Sequence, residues 1–337
     1  MNKKNVLKFE ASCTHENTTY VSLSYINALI SVDLINGNVR YLNSFPGELK
    51  LKRRLHYCTM LIDDCIIFFP FQSNKIQLYN FEKNYFRTIC IPVEGDVFFT
   101  NAIIYGEYIY LTSTRNQDIW LFSLKEEKIE KIFFGDKNCY FSLGTVHHQK
   151  FMYTLFPGKN ILYKYNLDEK IIELVNINNY KGFSHIIGLF DDKIFLHEQD
   201  SDNVVSYNLN TKDIIFEFKI LTNRIMTAYQ SGHNVLTYNE YDNSVMKIDL
   251  IKKSAKILVS NSYYAGAIKK ESKVYYIVDN TVKNLDDKCI ICDLKYDENS
   301  IENLRMEIVN YNRIGSDFIQ EEGILNLELF LKMLERR

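Results

Sequence analysis

Residues 108–133, YIYLTSTRNQDIWLFSLKEEKIEKIF, contain three short apolar segments separated by polar turns. The apolar segments are residues 108–112, 119–124 and 129–134, the last of which runs one residue beyond the quoted stretch. They are rich in the aromatic and β-branched residues that suit a pleated, half-buried surface, and the residues between them are the polar and charged types that favour turns. The stretch therefore predicts three strands in succession, and its diverged copies along the chain decide the fold.

Seven segments of the chain end in the same pattern, an aromatic or apolar residue, then a polar residue, then Leu or Phe. They end at Leu34, Phe81, Leu124, Leu167, Leu209, Leu250 and Leu294, at intervals of 41 to 47 residues. A period of roughly 40–50 residues with several strands in each unit is the signature of propeller blades. Helical repeats of similar length would place apolar residues every 3.6 positions, whereas these segments alternate.

In each unit a fourth strand, rich in small residues, comes before turn residues that predict a hairpin. Aligning the units on that hairpin brings together Thr59, Ala102, Thr145, Ile187, Ala228 and Ala267. Small residues suit the innermost strand of a propeller blade, because seven such strands converge beside the central axis. The sequence thus predicts an all-β, seven-bladed β-propeller of four-stranded antiparallel blades over residues 5–312.

The ends of the chain define the last blade and the closure of the ring. We expect the third strand of the last unit to end at Leu294 and residues 301–311 to form its outer strand. Each unit contains its own four strands, so we favour closure by packing of the first blade against the seventh. Exchange of the N-terminal strand stays open as an alternative.

Residues 316–337 change to helical spacing, with Ile324, Leu327, Leu331 and Leu334 on one stripe. The segment predicts a C-terminal α-helix that packs on the propeller. The alternative is a docking helix for a partner or for a second copy of the chain.

Composition excludes several classes of function. The formal net charge is −2, from 40 basic and 42 acidic residues, so nothing indicates a nucleic-acid partner. No segment approaches the ~20 apolar residues of a membrane span, and we expect a cytoplasmic protein. The seven cysteines are irregularly spaced, and Cys289 and Cys292 would lie on opposite faces of a strand, so we expect neither a disulfide framework nor a metal site. No cofactor-binding motif is present.

Seven four-stranded units of this length resemble bacterial seven-bladed β-propellers of the kelch-like or YVTN-like type. The resemblance is architectural and covers residues 5–312. The double glycine of kelch repeats is absent, and Trp120 is the single tryptophan, so no Trp-Asp repeat motif is present. The resemblance therefore implies a fold but transfers no functional residue.

Four polar residues are candidates for catalysis if the protein is an enzyme. His56, His185 and Asn101 lie near the beginnings of innermost strands, and Arg224 just precedes one. These strands enter the channel at one mouth, where propellers place binding and catalytic sites. A lyase or a glycoside-acting hydrolase with its site at this mouth is the alternative reading of the function.

Aromatic residues in the loops before the innermost strands favour a different function. They are Phe98, Phe99, Tyr140, Phe183, Tyr263 and Tyr264. An aromatic platform with a few polar groups suits a sugar, a peptide or a partner protein, although packing between blades would produce the same pattern. The leading hypothesis is a non-enzymatic binding module that presents a propeller face to a protein, peptide or carbohydrate ligand.

Overall fold

The chain forms a seven-bladed β-propeller, as predicted. The computed structural model describes residues 8–114, 118–133, 144–155, 157–178, 180–225, 227–239, 244–260, 262, 264–300, 302–304 and 306–307. Each blade is an antiparallel meander of four strands, numbered outward from the axis in chain order.

The strands fall into seven successive groups of four. Blades 1 to 3 comprise β1 Phe9–His15, β2 Thr18–Leu23, β3 Leu29–Asp33, β4 Asn38–Asn43; β5 His56–Ile62, β6 Cys65–Pro70, β7 Lys75–Asn80, β8 Tyr85–Cys90; and β9 Phe99–Tyr105, β10 Tyr108–Ser113, β11 Asp118–Ser123, β12 Lys128–Phe133. Blades 4 and 5 comprise β13 Thr145–His148, β14 Phe151–Leu155, β15 Ile161–Asn166, β16 Ile171–Asn176; and β17 Phe183–Phe190, β18 Lys193–Glu198, β19 Asn203–Asn208, β20 Ile214–Lys219. Blades 6 and 7 comprise β21 Thr227–Ser231, β22 Asn234–Asn239, β23 Ser244–Asp249, β24 Ser254–Val259; and β25 Tyr264–Lys270, β26 Lys273–Val278, β27 Thr281–Asn284, β28 Ile290–Asp293.

The hydrophobic core of this fold lies between the blades. Among the described residues, buried apolar side chains group into seven clusters, one at each interface between neighbouring blades. Second strands such as β6 and β10 are buried on both faces, which explains their continuous apolar runs. The innermost strand β5 is instead partly accessible along most of its length, because it lines the central channel.

A residue with positive φ recurs in the hairpin between the first two strands of every blade. The seven are Glu16, Asp63, Gly106, Gln149, Asp191, Gly232 and Glu271. These are the hairpins on which the repeats were aligned. They form one end of the channel, which we call the rear mouth. The front mouth is the opposite end, where the innermost strands begin.

The polar residue of the repeat pattern closes the hairpin between the third and fourth strands. In blade 5, Asn208 Oδ1 accepts hydrogen bonds from the backbone N–H groups of Asn210 and Thr211, at 2.9 and 3.0 Å. Asp249 does the same in blade 6, with Ile251 and Lys252 as donors. A side chain that bonds its own turn in this way explains why Asn, Asp or Ser precedes the final Leu or Phe of each copy.

The seventh copy of this pattern was assigned to the wrong strand. The third strand of blade 7 ends at Asn284, whose Oδ1 accepts from Asp286 N at 2.9 Å, and it is followed by Leu285. The segment ending at Leu294 is β28, the outermost strand. The turn between β26 and β27 is only two residues long, with Asp279 and Asn280 both at positive φ, so the last repeat is shortened.

The C-terminal side of blade 7 closes the ring on blade 1. A short strand, β29 (Lys295–Tyr296), pairs in parallel with β4, so the first sheet has the order β1-β2-β3-β4-β29. Residues 298–300 and 302–304 are helical, which corrects the outer strand expected at residues 301–311. Leu304 of this helix is fully buried in the cluster between blades 7 and 1. Blade 1 keeps its own four strands, as expected, but its outer edge is covered by chain from beyond blade 7.

The predicted helix at residues 316–337 lies outside the described residues, so its packing and its role in self-association stay predictions. No helix among the described residues is long and apolar enough to cross a membrane.

Gly37 lies where the chain after blade 7 contacts blade 1. Its φ is +79°, its carbonyl accepts from Lys295 N at 2.8 Å, and a Cβ added to it would lie 1.9 Å from the carbonyl oxygen of Asp293. We expect Gly37→Ala to separate β29 from blade 1 and to lower the free energy of unfolding in urea denaturation. Gly106→Ala is the matched control, because Gly106 has φ +61° and an added Cβ meets nothing within 4 Å. The unfolding free energy of the control should fall by about 1–2 kcal/mol from backbone strain alone. An equal decrease in the two variants would contradict the role of Gly37 in the closure.

Candidate functional site at the front mouth

Five innermost strands begin with a buried side chain followed by a β-bulge. The first residues are Phe9, His56, Phe99, Phe183 and Tyr264, which we call the buried ring. The residue after each is left unpaired by a register shift, and these are Glu10, Tyr57, Thr100, Ser184 and Ala265, the bulge ring. In blades 4 and 6 the bulge position lies outside the described residues. Because a β-bulge changes the direction of a side chain, these bulges determine which side chains face the channel.

The buried ring explains most of the aromatic pattern that was interpreted as a ligand platform. Phe99 and Phe183 are fully buried, and Phe98 is 6% exposed. Phe98 packs edge-on against Phe71 at the same mouth. These rings fill the interfaces between blades, so the structure does not present them on the surface. Tyr140 and Tyr263 lie outside the described residues.

His56 belongs to the buried ring, and it is inaccessible to a ligand. Its ring lies 4.3 Å from that of Phe45 and 5.4 Å from that of Phe68, and its Nδ1 is 3.0 Å from Ser22 Oγ. Burial lowers the pKa of His56 to about 3, so the ring is neutral at physiological pH. A histidine in this setting fills core space between blades 1 and 2.

The other three candidates for catalysis lie on three further blades. His185 is buried in β17, opposite His197 in the register of blade 5. Asn101 is partly buried in β9, and its Nδ2 donates to the hydroxyls of Thr100 and Thr112 at 3.1 and 3.2 Å. Arg224 is exposed in the loop before β21. With His56 sealed in the core, the four do not form one accessible site.

The bulge ring contains two long side chains and three short ones. Ser184 Oγ lies 2.7 Å from Nδ1 of His197 within its own blade, while Thr100 and Ala265 are buried. Glu10 and Tyr57, on blades 1 and 2, are the members long enough to extend toward the axis. Among the five described positions, the two long side chains thus lie on the neighbouring blades 1 and 2.

Glu10 and Tyr57 form a cluster with residues from blades 6 and 7. Burial raises the pKa of Tyr57 well above its ordinary value, and the neighbouring Tyr229 and Glu10 raise it further. Blades 7 and 1 stand between blades 6 and 2, so Tyr57 and Tyr229 interact across the channel. The pKa of Tyr264 is raised in the same way, first by burial and then by the neighbouring Tyr229 and Tyr57.

Arg54, which immediately precedes β5, completes this channel-mouth cluster of Glu10, Arg54, Tyr57, Tyr229 and Tyr264. The Nε atom of Arg54 lies 3.5 Å from Oε1 of Glu10. The carboxylate side chain is 6% exposed and the guanidinium side chain 35% exposed, so the pair lies at the boundary between protein and channel. The two opposite charges of the pair largely neutralise one another.

Several polar atoms of the cluster have unused hydrogen-bonding capacity. The Tyr264 hydroxyl and Arg54 Nε are buried and make no hydrogen bond. The distance of 3.5 Å between Arg54 and Glu10 exceeds the usual 2.7–3.2 Å of an N–H···O bond. A buried unpaired group costs about 1–3 kcal/mol, so these atoms lower the stability of the folded protein unless they gain a partner.

The rear mouth offers a weaker alternative site. A shallow depression of about 580 Å³ lies between the inner hairpins of blades 4 to 7. Its carboxylates include Asp192, which bonds Asn210 at 3.1 Å and pairs with His148 Nε2 at 3.5 Å. These contacts hold the turns together. No group of three or more histidines, cysteines or carboxylates in the described part of the chain could hold a metal ion.

Sequence reasoning missed Glu10 and Tyr229 and did not recognise Tyr57 as part of a site. The signal was present as a departure from the repeat, because Glu10 and Tyr57 stand where three other blades have Thr100, Ser184 and Ala265. The bulge itself has no signature in the sequence, so the direction of these side chains could not be predicted. In β17 a second bulge at Ile187 shifts the alignment by one residue, and this explains a large residue at a position where the other aligned blades have small ones.

The propeller is similar to solved lyase structures in fold. A structure of virginiamycin B lyase from Staphylococcus aureus aligns with a TM-score of 0.62 and 14% identity, over 82% of this chain and 93% of that chain. A catalytically inactive variant of that enzyme with quinupristin gives 0.61 and 13%, over 83% and 94%. A streptogramin B lyase structure gives 0.60 and 13%, over 84% and 93%. No protein-family model and no curated protein matches the sequence, so the likeness is one of fold alone.

The burial of His56 predicts a pH dependence of stability. Its pKa is about 3 in the folded protein and about 6.5 when unfolded. Below pH 6.5 the unfolded chain therefore binds a proton that the folded protein does not, and stability falls as the pH is lowered toward 3. Removing this group in His56→Gln should flatten the curve of unfolding free energy by up to about 1.4 kcal/mol per pH unit. Above pH 7 the curves should be parallel, and parallel curves between pH 4 and 6.5 would refute the assignment.

The unpaired hydroxyl of Tyr264 predicts a variant that is more stable than the natural protein. Tyr264→Phe removes a desolvated group that has no partner, so the unfolding free energy should rise by about 1–3 kcal/mol. Tyr110→Phe is the matched control, since the Tyr110 hydroxyl is equally buried but donates to Leu167 O at 3.1 Å. The unfolding free energy of that variant should fall by about 1 kcal/mol. If both variants lose stability in urea denaturation, the Tyr264 hydroxyl has a partner after all.

Proposed function

We propose that this propeller is a binding module that takes a small polar ligand, a peptide or a glycan, in the channel-mouth cluster. The observation that carries the proposal is the Glu10–Arg54 pair, in which the guanidinium side chain is 35% exposed and the Nε–Oε1 distance of 3.5 Å exceeds that of an N–H···O hydrogen bond. A few charged groups beside aromatic side chains are the usual components of a small-ligand site.

The proposal favours binding over catalysis because the candidate acid–base groups are sealed in the blades. His56 is inaccessible, and burial lowers the pKa of His197, whose Nδ1 is already engaged with Ser184. The cluster offers tyrosine hydroxyls, whose raised pKa keeps them protonated as hydrogen-bond donors at physiological pH. Donors, one carboxylate and aromatic faces suit recognition of a polar ligand with an apolar surface.

The proposal is tested by screening the full chain on a glycan array and a peptide array. Ligands found in this way should bind at least tenfold more weakly to Glu10→Gln and to Tyr57→Phe in calorimetric titration. Glu271→Gln at the rear mouth is the control and should bind as the natural protein does. Binding that both front-mouth variants retain, or the absence of any ligand on the two arrays, would overturn the proposal.

A lyase acting at the same mouth is the second candidate function. It is supported by the fold likeness to virginiamycin B lyase, one structure of which holds quinupristin, and by the carboxylate of Glu10, which could accept a proton from a bound substrate. Incubation of the protein with quinupristin, followed by chromatography, separates the two candidates. Recovery of intact quinupristin is expected for a binding module, whereas conversion that is lost in Glu10→Gln would establish the lyase.

A further inference from the structure

The two outer strands of blade 6 place lysines directly opposite each other. Lys247 in β23 and Lys256 in β24 are register partners in an antiparallel pair. Partners of this kind lie on the same face of a sheet, with their Cβ atoms about 4.5–5.5 Å apart. Two like charges in this arrangement repel each other, so the pair destabilises the blade unless another charge neutralises it.

The other blades avoid this arrangement at the same position of the repeat, three residues before the Leu or Phe that follows the third strand. In blade 4 the pair is Lys164 and Glu173, whose Nζ and Oε2 atoms are 2.6 Å apart. In blades 1, 2, 3, 5 and 7 the pairs are Ser31–Arg40, Leu78–Arg87, Leu121–Glu130, Ser206–Ile215 and Val282–Cys292. None of these six pairs joins two charges of the same sign. The fold therefore does not require the two lysines of blade 6.

A third lysine comes from blade 7. Lys247 Nζ donates to the backbone oxygens of Leu285 and Asp286 at 3.3 and 3.2 Å, so it reaches the turn between β27 and β28. Lys288 lies in the same turn. Desolvation lowers the pKa of Lys288, and the neighbouring Lys256 and Lys247 lower it further. We call these three side chains, from Lys247, Lys256 and Lys288, the lysine cluster.

The carboxylates of this turn are engaged by other donors. Asp286 Oδ1 accepts from Asn234 Nδ2 at 2.7 Å, and Asp287 Oδ1 accepts from the backbone N–H of Cys289 at 2.9 Å. The two members of the cluster that are exposed, one on β24 and one in the turn, form no ion pair with a carboxylate of the described residues. Their ammonium protons, and the third proton of Lys247, are therefore available to a ligand at the protein surface.

A phosphate group matches the charge and the donors of the lysine cluster. It carries a charge of about −1.5 to −2 at neutral pH and three strong acceptor oxygens. Lysine binds phosphate as a point charge, and its flexible side chain adjusts to the position of the anion. One phosphate group can accept hydrogen bonds from all three ammonium groups and replace their mutual repulsion by attraction. A carboxylate, with one charge and two oxygens, would neutralise the cluster less completely.

We infer that the lysine cluster is a binding site for a phosphate group, between the outer strands of blades 6 and 7 on the side of the rear mouth. The site shares no residue with the channel-mouth cluster, so it is independent of the proposed function. Its three donors come from two blades, and a bound anion would therefore also strengthen the contact between them.

Titration of the full chain with inorganic phosphate and with pyrophosphate, followed by ³¹P NMR at low ionic strength, tests the inference. We expect binding that is at least fivefold weaker in Lys256→Glu and in Lys288→Gln. Lys125→Gln is the control, because Lys125 is exposed and forms no ion pair with the described residues, but lies on blade 3. The control should bind as the natural protein does. Circular dichroism checks the fold, and a defect in one cluster variant leaves the other.

Urea denaturation supplies a second readout. Lys256→Glu reproduces the Lys–Glu pair of blade 4, so without phosphate its denaturation midpoint should be higher than that of the natural protein. Phosphate should raise the midpoint of the natural protein but not that of the variant. A lower midpoint for Lys256→Glu would show that the lysines do not repel each other and would overturn the inference.

Three results of the titration would also overturn it. The first is the absence of binding by both phosphate and pyrophosphate. The second is binding that both cluster variants retain, since the anion would then lie elsewhere. The third is an equal weakening in Lys125→Gln, which would indicate attraction to exposed lysines in general.

Discussion

The burial of apolar blade faces against neighbouring blades is the interaction on which this structure depends. Every interface contains its own hydrophobic cluster, and the second and third strands contribute side chains to clusters on both sides. A single four-stranded sheet would leave both faces in water, so no blade is stable without its neighbours. The ring must therefore close, and β29 with the helical residues after it brings blade 7 onto the outer edge of blade 1.

The same constraint determines which side chains remain for function. The first residue of an innermost strand packs between two blades, so the side chains of Phe9, Phe99 and Phe183 belong to the core. The β-bulge that follows turns the next side chain out of the interface. The proposed site is therefore built on exceptions to the repeat, Glu10 and Tyr57, and not on the residues that recur in every blade.

Much of the fold was predictable because repetition is visible along a single chain. The polar residue before each final Leu or Phe, such as Asn208, is required by a local hairpin, and the innermost hairpins recur in step. The prediction was wrong where a local shortening broke the period, at the two-residue turn Asp279–Asn280 that moved the last third strand to Asn284. The site was less predictable, since residues such as Phe183 and His56 look alike in sequence whether they face a ligand or a neighbouring blade.

The sequence by itself determined the number of blades, the four strands of each and the end of the channel at which the innermost strands begin. These follow from local hydrophobic pattern and turn chemistry, which act between residues close along the chain. Only the tertiary structure decided that β29 seals blade 1, that His56 is a core residue, and that Glu10 lies beside Arg54 and near Tyr264. Those contacts join residues more than 10 positions apart, and they depend on bulges and on ring geometry that no local pattern records.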